Sequence, residues 1–395
     1  MKDALDVVMA WQLRNPDSTD AAAAIEAVKA SRNKQTDSEL PSRLASHFLQ
    51  LTIPPFFPQN KAAADPLEAS RQPAPWRDPG AQYIFHLLAW SIQSLSPKEI
   101  EARWHLVVPP ILKMIDDMDA GWKAKGCHYL ALLLGSLRQS TSTDIATQKT
   151  KRKQSPSEFL RRTGYQNVFA DSLFPLFTYI PTLTPEPEAV PLFMELFSAL
   201  TALTVLLPEN AVQGVTREQL FDKMLREGVL SPLTHLPTPS TYPELANVIV
   251  TQLQVILGHM GIDSVKHLPH IVPLLSAILQ EPFIVTHKAL TMSTLKALRV
   301  LMLNTWPRIP AHRGAIMMGL CLCWRQCVEE NTMRSIEGHV GEVKELVQET
   351  AAMLDAVMQA AEEKVAWEQE KRDAVDASPL HDGMFDGCEE VKLEL

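Results

Sequence analysis

Residues His105–Asp117 read HLVVPPILKMIDD, and residues His267–Leu279 read HLPHIVPLLSAIL. In each, apolar residues recur every three or four positions around a proline, which is the pattern of a short helix with one buried face. A polar break follows each stretch. A longer apolar helix is then expected, over about Trp122–Leu137 in the first case and Val285–Leu303 in the second. Laying Pro110 on Pro273 also lays Ile115 on Ile278, Lys125 on Lys288 and Leu132 on Leu295. A third copy is read with Pro175 on the same position, which pairs Ile115 with Ile180 and Leu132 with Phe197. The separation of the first two copies is about four units of roughly 41 residues, the spacing of HEAT-type helical pairs. The expected fold is all-α: an α-solenoid of HEAT/armadillo-like repeats, closed by a long C-terminal helix.

Working outward, the 395 residues include only 15 Gly but 29 Pro. Few glycines disfavour hairpin arrays and phosphate-cradling loops, and the prolines fall where helices start or stop. Ser96, Pro97 and Glu99 form a capping-box signature with Pro at the first helical position. Five segments are expected. Residues 1–52 form an N-terminal helical segment with helices near Ala21–Ala30 and Ser42–Leu51. Residues 53–80, dense in proline, form a linker or arm. Residues 81–332 carry the repeat array, interrupted by a disordered polar insertion at 139–157. Residues 333–375 form the long helix, with Val340, Val343, Val347, Leu354, Val357, Ala361 and Val365 on one face. Residues 376–395 form a disordered acidic tail, whose six acids and one lysine hold more than half of the net charge of −9, so its removal is expected to leave stability unaltered.

An acidic balance gives no general attraction to nucleic acid or anionic lipid. The N-terminus lacks a secretory pattern, and the apolar run Leu196–Pro208 is too short to span a bilayer. Five scattered cysteines are no disulfide framework. A cytoplasmic and/or nuclear chain is expected, without cofactor, metal or catalytic residues: no Gly-rich phosphate loop, HExxH or GxSxG motif is present. Asp116, Asp117 and Asp119 lack calcium-loop spacing and read as an inter-helix turn and N-cap. Cys321, Cys323 and Cys327 lack zinc spacing and read as buried thiols. His259, His267 and His270 have no carboxylate placed to complete a site unless Asp263 folds back. Lys125 and Lys288 read as a charged surface ladder or as solvated helix positions. The run Lys149–Lys153 reads as a solvated loop or an import signal. The most distinctive cluster is Trp306, Pro307, Arg308, His312 and Arg313. It either plugs a seam between helices, with the arginines on helix carbonyls, or anchors a protein partner, since Trp and Arg are favoured anchors.

Four blocks carry a family resemblance. Arg103–Leu134 resembles the "W-x-L-V-P-P-L-L … D-D … K-x-x-G" segment of the Tel-two-interacting protein family, second member. Arg162–Leu183 resembles its "T-G-x-x-x-V-F-x-D-x-L-x-P-x-L … L-P" stretch. His270–Leu279 is similar to its "x-x-P-L-L-x-x-I-L" helix, and Asn304–Trp324 to its "C-W-P-R-I … H-R … L-x-x-C-W" block. Thr305 stands where the family carries a cysteine, and the loop after Arg138 is longer. The resemblance implies a non-enzymatic scaffold subunit of the TTT complex. Its partners would be the other two TTT subunits, themselves helical-repeat proteins. Through them it would meet the ninety-kilodalton heat-shock chaperone and the phosphatidylinositol-kinase-related kinases of DNA-damage and TOR signalling, whose maturation and stability the complex promotes. The alternative is another helical-repeat adaptor, such as a nuclear import or assembly scaffold.

Overall fold

The structure, a computed structural model, describes residues 40–58, 74–143, 156–208, 215–334, 337–361 and 364–386. Every regular element among them is helical. The chain divides into two compact units, residues 1–173 with 198–206, and residues 174–197 with 207–395.

In the first unit the helices are α1 (Leu40–His47), α2 (Tyr83–Ser94), α3 (Pro97–Ala102), α4 (Trp104–Ile115), α5 (Ala120–Thr143), α6 (Pro156–Thr163) and α7 (Tyr165–Leu173). The capping box forms as expected: the Ser96 backbone N–H donates to the Glu99 carboxylate at 2.9 Å. The other oxygen of that carboxylate accepts from Ser42 Oγ, which fastens α1 to α3. Helix α4 buries Trp104, Val107, Val108, Ile111, Met114 and Ile115. Pro109 and Pro110 lie inside it rather than opening it. Each removes one hydrogen bond, and the burial of a whole apolar face holds the helix regardless. Of the insertion expected at 139–157, both ends are helical, because α5 runs to Thr143 and α6 opens at Pro156; residues 144–155, with Lys149–Lys153, and the helix expected near Ala21–Ala30 lie outside the described residues.

The proline-rich arm is also corrected at both ends. Pro54–Phe56, Pro75–Arg77 and Pro79–Ala81 are single 3₁₀ turns, and Phe57 and Trp76 are buried. Trp76 stacks on Phe57 at 5.8 Å and meets Trp122 of α5 edge-on at 4.8 Å. Burying each ring contributes about 2–3 kcal/mol, which outweighs the extended preference of the prolines beside it.

The second unit contains α8 (Glu186–Leu206, of which residues from Ser198 onward group with the first unit), α9 (Arg217–Lys223), α10 (Ser231–His235), α11 (Pro243–Met260), α12 (Leu268–Gln280), α13 (Lys288–Thr305), α14 (Arg313–Arg334), α15 (Glu337–Ala360) and α16 (Lys364–Asp376). The third copy does not open with a helix: Pro175 sits in the 3₁₀ turn Phe174–Thr178. Phe177 from that turn packs on Phe193 and Phe197 of α8. Helix α8 is longer than its apolar run suggested, and by length and composition it could cross a bilayer. Here Ala189, Leu192, Phe193, Leu196, Phe197, Leu200 and Leu203 are buried in protein, as in a core helix.

Within α11–α15 the helices pack on the next but one, α11 on α13, α12 on α14 and α13 on α15, and α14 packs on its neighbour α15 as well. Polar bonds fix that order. Gln254 donates to the Ser293 carbonyl at 3.0 Å and Asn304 to the Leu257 carbonyl at 2.8 Å, joining α11 to α13. Ser276 donates to the Ala315 carbonyl, joining α12 to α14. Arg299 pairs with Glu349 and Lys288 with Glu342, joining α13 to α15.

The long C-terminal helix is corrected to two. The Trp367 indole N–H donates to Asp355 at 2.8 Å, and Lys371 reaches the same oxygen at 2.6 Å. In one continuous helix positions 355 and 367 would stand about 18 Å apart, so α16 must fold back on α15. The full burial of Trp367 compensates for the break. The acidic tail does not begin at residue 376. Residues 377–386 continue into a packed strap with Met384 wholly buried, while Gln348 donates to the Gly383 carbonyl at 2.8 Å. One buried methionine and a turn of 3₁₀ helix at Pro379–His381 decide the matter against the charge pattern. Residues 387–395 lie outside the described residues.

Candidate protein-partner interface

Helix α13 ends at Thr305, and Trp306–His312 continue as a 3₁₀ helix with prolines at 307 and 310. Its wholly enclosed member is Ile309, which packs into the seam beside Trp306. Trp306 keeps 36% of its surface in solvent, with Pro307 and Arg308 exposed beside it. Leu303, one turn earlier on α13, and Met318 of α14 are also exposed. Arg313 has the structural role: its guanidinium grips the Glu370 carboxylate of α16 through Nε at 2.9 Å and Nη2 at 2.8 Å, and donates from Nη1 to the Pro310 carbonyl at 2.8 Å. The five residues therefore divide. Trp306, Pro307 and Arg308 present an aromatic and cationic edge, half-buried His312 flanks it, and Arg313 secures the turn that carries it.

The "D-D … K-x-x-G" block is a helix junction. Asp117 is buried and pairs with Arg77, and it accepts the Asp119 backbone N–H at 2.9 Å. Asp119 in turn accepts the Trp122 N–H at 3.0 Å, as the N-cap of α5. Lys123 is buried and donates to the Ile115 carbonyl at 2.9 Å, closing the C-terminus of α4. At Gly126 a Cβ would stand 2.7 Å from the Ile115 backbone nitrogen, so only glycine lets α5 lie this close to α4. In the second block Gly164, with φ +76°, breaks the chain between α6 and α7.

The remaining clusters are accounted for in place. Lys125 sits over the Trp122 ring at 4.0 Å, and burial lowers its pKa; Lys288 pairs with Glu342 at 2.8 Å. The two lysines thus serve separate local contacts. Cys321, Cys323 and Cys327 are buried free thiols. Burial pushes the Cys321 thiol up to about 11. A hydrogen bond with Cys327, then burial, raises Cys323 well above its ordinary value. His259 stacks on Phe221 at 4.9 Å. His267 does have a carboxylate, but from 45 residues upstream: its Nε2–H donates to Asp222 Oδ1 at 2.7 Å. Sequence spacing around the histidines could not reveal Asp222, since it belongs to α9. Burial raises the Asp222 pKa, but hydrogen bonds from Lys266 and His267 outweigh it and hold the carboxyl below its ordinary value. Among the described residues no group of three or more His, Cys, Asp or Glu side chains is placed to hold a metal ion.

No solved structure matches the chain. A protein-family model does, over residues 10–286, more than half of the sequence and three of the four motif blocks. The fourth block, Asn304–Trp324, lies beyond the matched residues. With the junction chemistry of α4 and α5 falling on the motif positions, the chain belongs to the Tti2 family.

Proposed function

We propose that this chain is a non-catalytic scaffold subunit of the TTT complex. Family membership over residues 10–286 carries the reading. The packing of α11 on α13, α12 on α14 and α13 on α15 supports it, because ladders of this kind build HEAT-like solenoids that offer long surfaces to protein partners. The array is assigned to residues 81–332. The partners are the other two TTT subunits, and the phosphatidylinositol-kinase-related kinases and their chaperone are met through them, in the cytoplasm, the nucleus or both. The edge formed by Trp306, Pro307 and Arg308, with His312 beside it and Arg313 behind it, is the proposed contact for the large solenoid subunit. An exposed Trp next to Arg is the side-chain chemistry that anchors interfaces.

Separate expression followed by mixing and co-purification tests the assignment. A stable three-subunit complex, and reduced kinase levels in cells lacking this chain, are the expected results. Failure to associate, with unchanged kinase levels, overturns it. Recovery dominated by nuclear transport receptors would replace it with an adaptor role.

A further inference from the structure

The strap at residues 377–386 lies against α14 and α16 through its turn at Pro379–His381. It also reaches α15, where the Gln348 side-chain amide donates to the Gly383 carbonyl at 2.8 Å. Met384 is its one wholly buried side chain. Gly383, with φ +78°, lies on Trp324 of α14, and a Cβ there would stand 3.8 Å from the ring's Cζ2. Cζ2 is bonded to the carbon that carries Nε1, so the polar edge of the indole lies under the strap. Lys344 stands one turn before Gln348 on the same face of α15, with its ammonium 4.7 Å from the Trp324 ring centre. Trp324, Lys344 and Gln348 thus form one seat, and the strap fills it.

The strap leaves that seat incompletely matched. The Trp324 indole N–H is buried with no acceptor among the described residues. His381 of the strap spends Nδ1 on the Ala374 carbonyl at 2.7 Å, and its Nε2 is buried without a partner. Lys344 has no carboxylate partner among the described residues, although Asp382 and Asp386 of the strap are exposed close by in sequence. Among the described residues, the bond from Gln348 is the one hydrogen bond between the strap and α14 or α15. A buried donor left unmet costs its full desolvation, and here it stands beside an unneutralised ammonium. Both groups call for a negatively charged acceptor, which the strap does not place there.

We propose that this seat is a peptide site, filled in the free chain by its own strap, and that it exchanges the strap for an acidic segment of a protein partner with a methionine or leucine anchor. The anchor enters the space of Met384, the carbonyl before it takes the Gln348 amide, and a carboxylate of the segment accepts from the Trp324 indole and Lys344. The proposal does not depend on which complex the chain joins.

Two measurements on the full chain test it. The first is hydrogen–deuterium exchange. The Met384 and Asp386 amides, bonded only within the strap, are expected to exchange at least about a hundredfold faster than core amides of α14 and α15, because an exchangeable segment opens without unfolding the rest. One common rate for strap and helices would overturn the proposal. The second is fluorescence anisotropy with labelled degenerate peptides that carry Gly-Met at the centre and Asp or Glu at the flanks. The same peptides with Lys at the flanks, and with Ser in place of Met, serve as comparisons. The acidic Gly-Met peptides are expected to bind at least about tenfold more tightly than either, the scale of a hydrogen bond to a charged group. Met384→Ser, which loosens the strap, is expected to raise their affinity for the chain, and Lys344→Gln to lower it. Equal binding of the acidic and Lys-flanked peptides, or affinity unchanged by Lys344→Gln, would overturn the acidic partner, and affinity unchanged by Met384→Ser would overturn the exchange with the strap.

Discussion

The indole N–H of Trp367 ends on the carboxylate of Asp355, 2.8 Å away, and both residues are buried. Lys371 supplies the countercharge at 2.6 Å. Asp355→Ala would leave the buried indole N–H unpaired and Lys371 with Glu368 alone at 2.8 Å, which costs about 1–3 kcal/mol. The melting midpoint should fall by roughly 2–12 °C for a unit of this size. Asp355→Asn keeps an acceptor for Trp367 and should fall less. Thermal unfolding of the two variants checks the order, and equal midpoints for Asp355→Ala and the parent would rule out the folded-back α16.

Removing residues 377–395 should now lower stability, against the expectation drawn from charge. The segment carries wholly buried Met384 and accepts a hydrogen bond from Gln348. Losing a buried methionine side chain alone costs about 2–5 kcal/mol. Truncation after Asp386 provides the contrast, because it keeps Met384. Differential scanning calorimetry of both truncations decides between a packed strap and a dispensable tail.

These two cases show where sequence was legible. Helices α4, α5, α12 and α13 lie close to their expected places, because each carries a 3.6-residue apolar pattern and a local stop signal. The break between α15 and α16 has no such signal. Val357 and Val365 keep the stripe going in sequence, and only the distant pairing of Trp367 with Asp355 shows the chain has turned. The same limit hid Asp222 from His267 and Ile309 from its role at the seam. Contacts between elements, unlike periods within them, leave no mark on neighbouring residues.

At the Trp306 edge, stability and association can be compared directly. Trp306 keeps 36% of its surface in solvent and buries the rest, so Trp306→Ala should cost about 1–3 kcal/mol, less than a core Trp. Arg313→Ala removes a bidentate bond to Glu370 and the bond to the Pro310 carbonyl and should also lower the midpoint. If the edge contacts a subunit, Trp306→Ala weakens co-purification more than Arg313→Ala does at a comparable midpoint. A large drop in midpoint for Trp306→Ala, with association intact, would return Trp306 to a packing role.

Thiol reactivity offers a chemical check on the core of α14. At pH 8 a thiol raised to about 11 is ionised about 200-fold less than an ordinary one near 8.5, and only the thiolate attacks. Native protein treated with iodoacetamide at pH 8, then mapped by peptide mass spectrometry, should show Cys321, Cys323 and Cys327 essentially unmodified. The same treatment in urea should label all three. Rapid native labelling would mean that α14 does not bury them.

Two glycines of α5 should respond to alanine in opposite directions. Glycine inside a helix costs about 1 kcal/mol relative to alanine, so both substitutions begin with the same gain. At Gly135 a Cβ would meet nothing within 4 Å, and the gain should appear as a higher midpoint. At Gly126 the Cβ would stand 2.7 Å from both the backbone nitrogen and Cγ1 of Ile115. Backbone cannot step aside as the end of a side chain can, so α4 and α5 must separate. Overpacking of that kind costs about 1–3 kcal/mol, enough to cancel or reverse the gain. The separation would also stretch the Lys123 bond to the Ile115 carbonyl. Melting curves of Gly126→Ala and Gly135→Ala, each against the parent, give the answer directly. A rise for both would mean that the glycine of the "K-x-x-G" block is not set by helix contact.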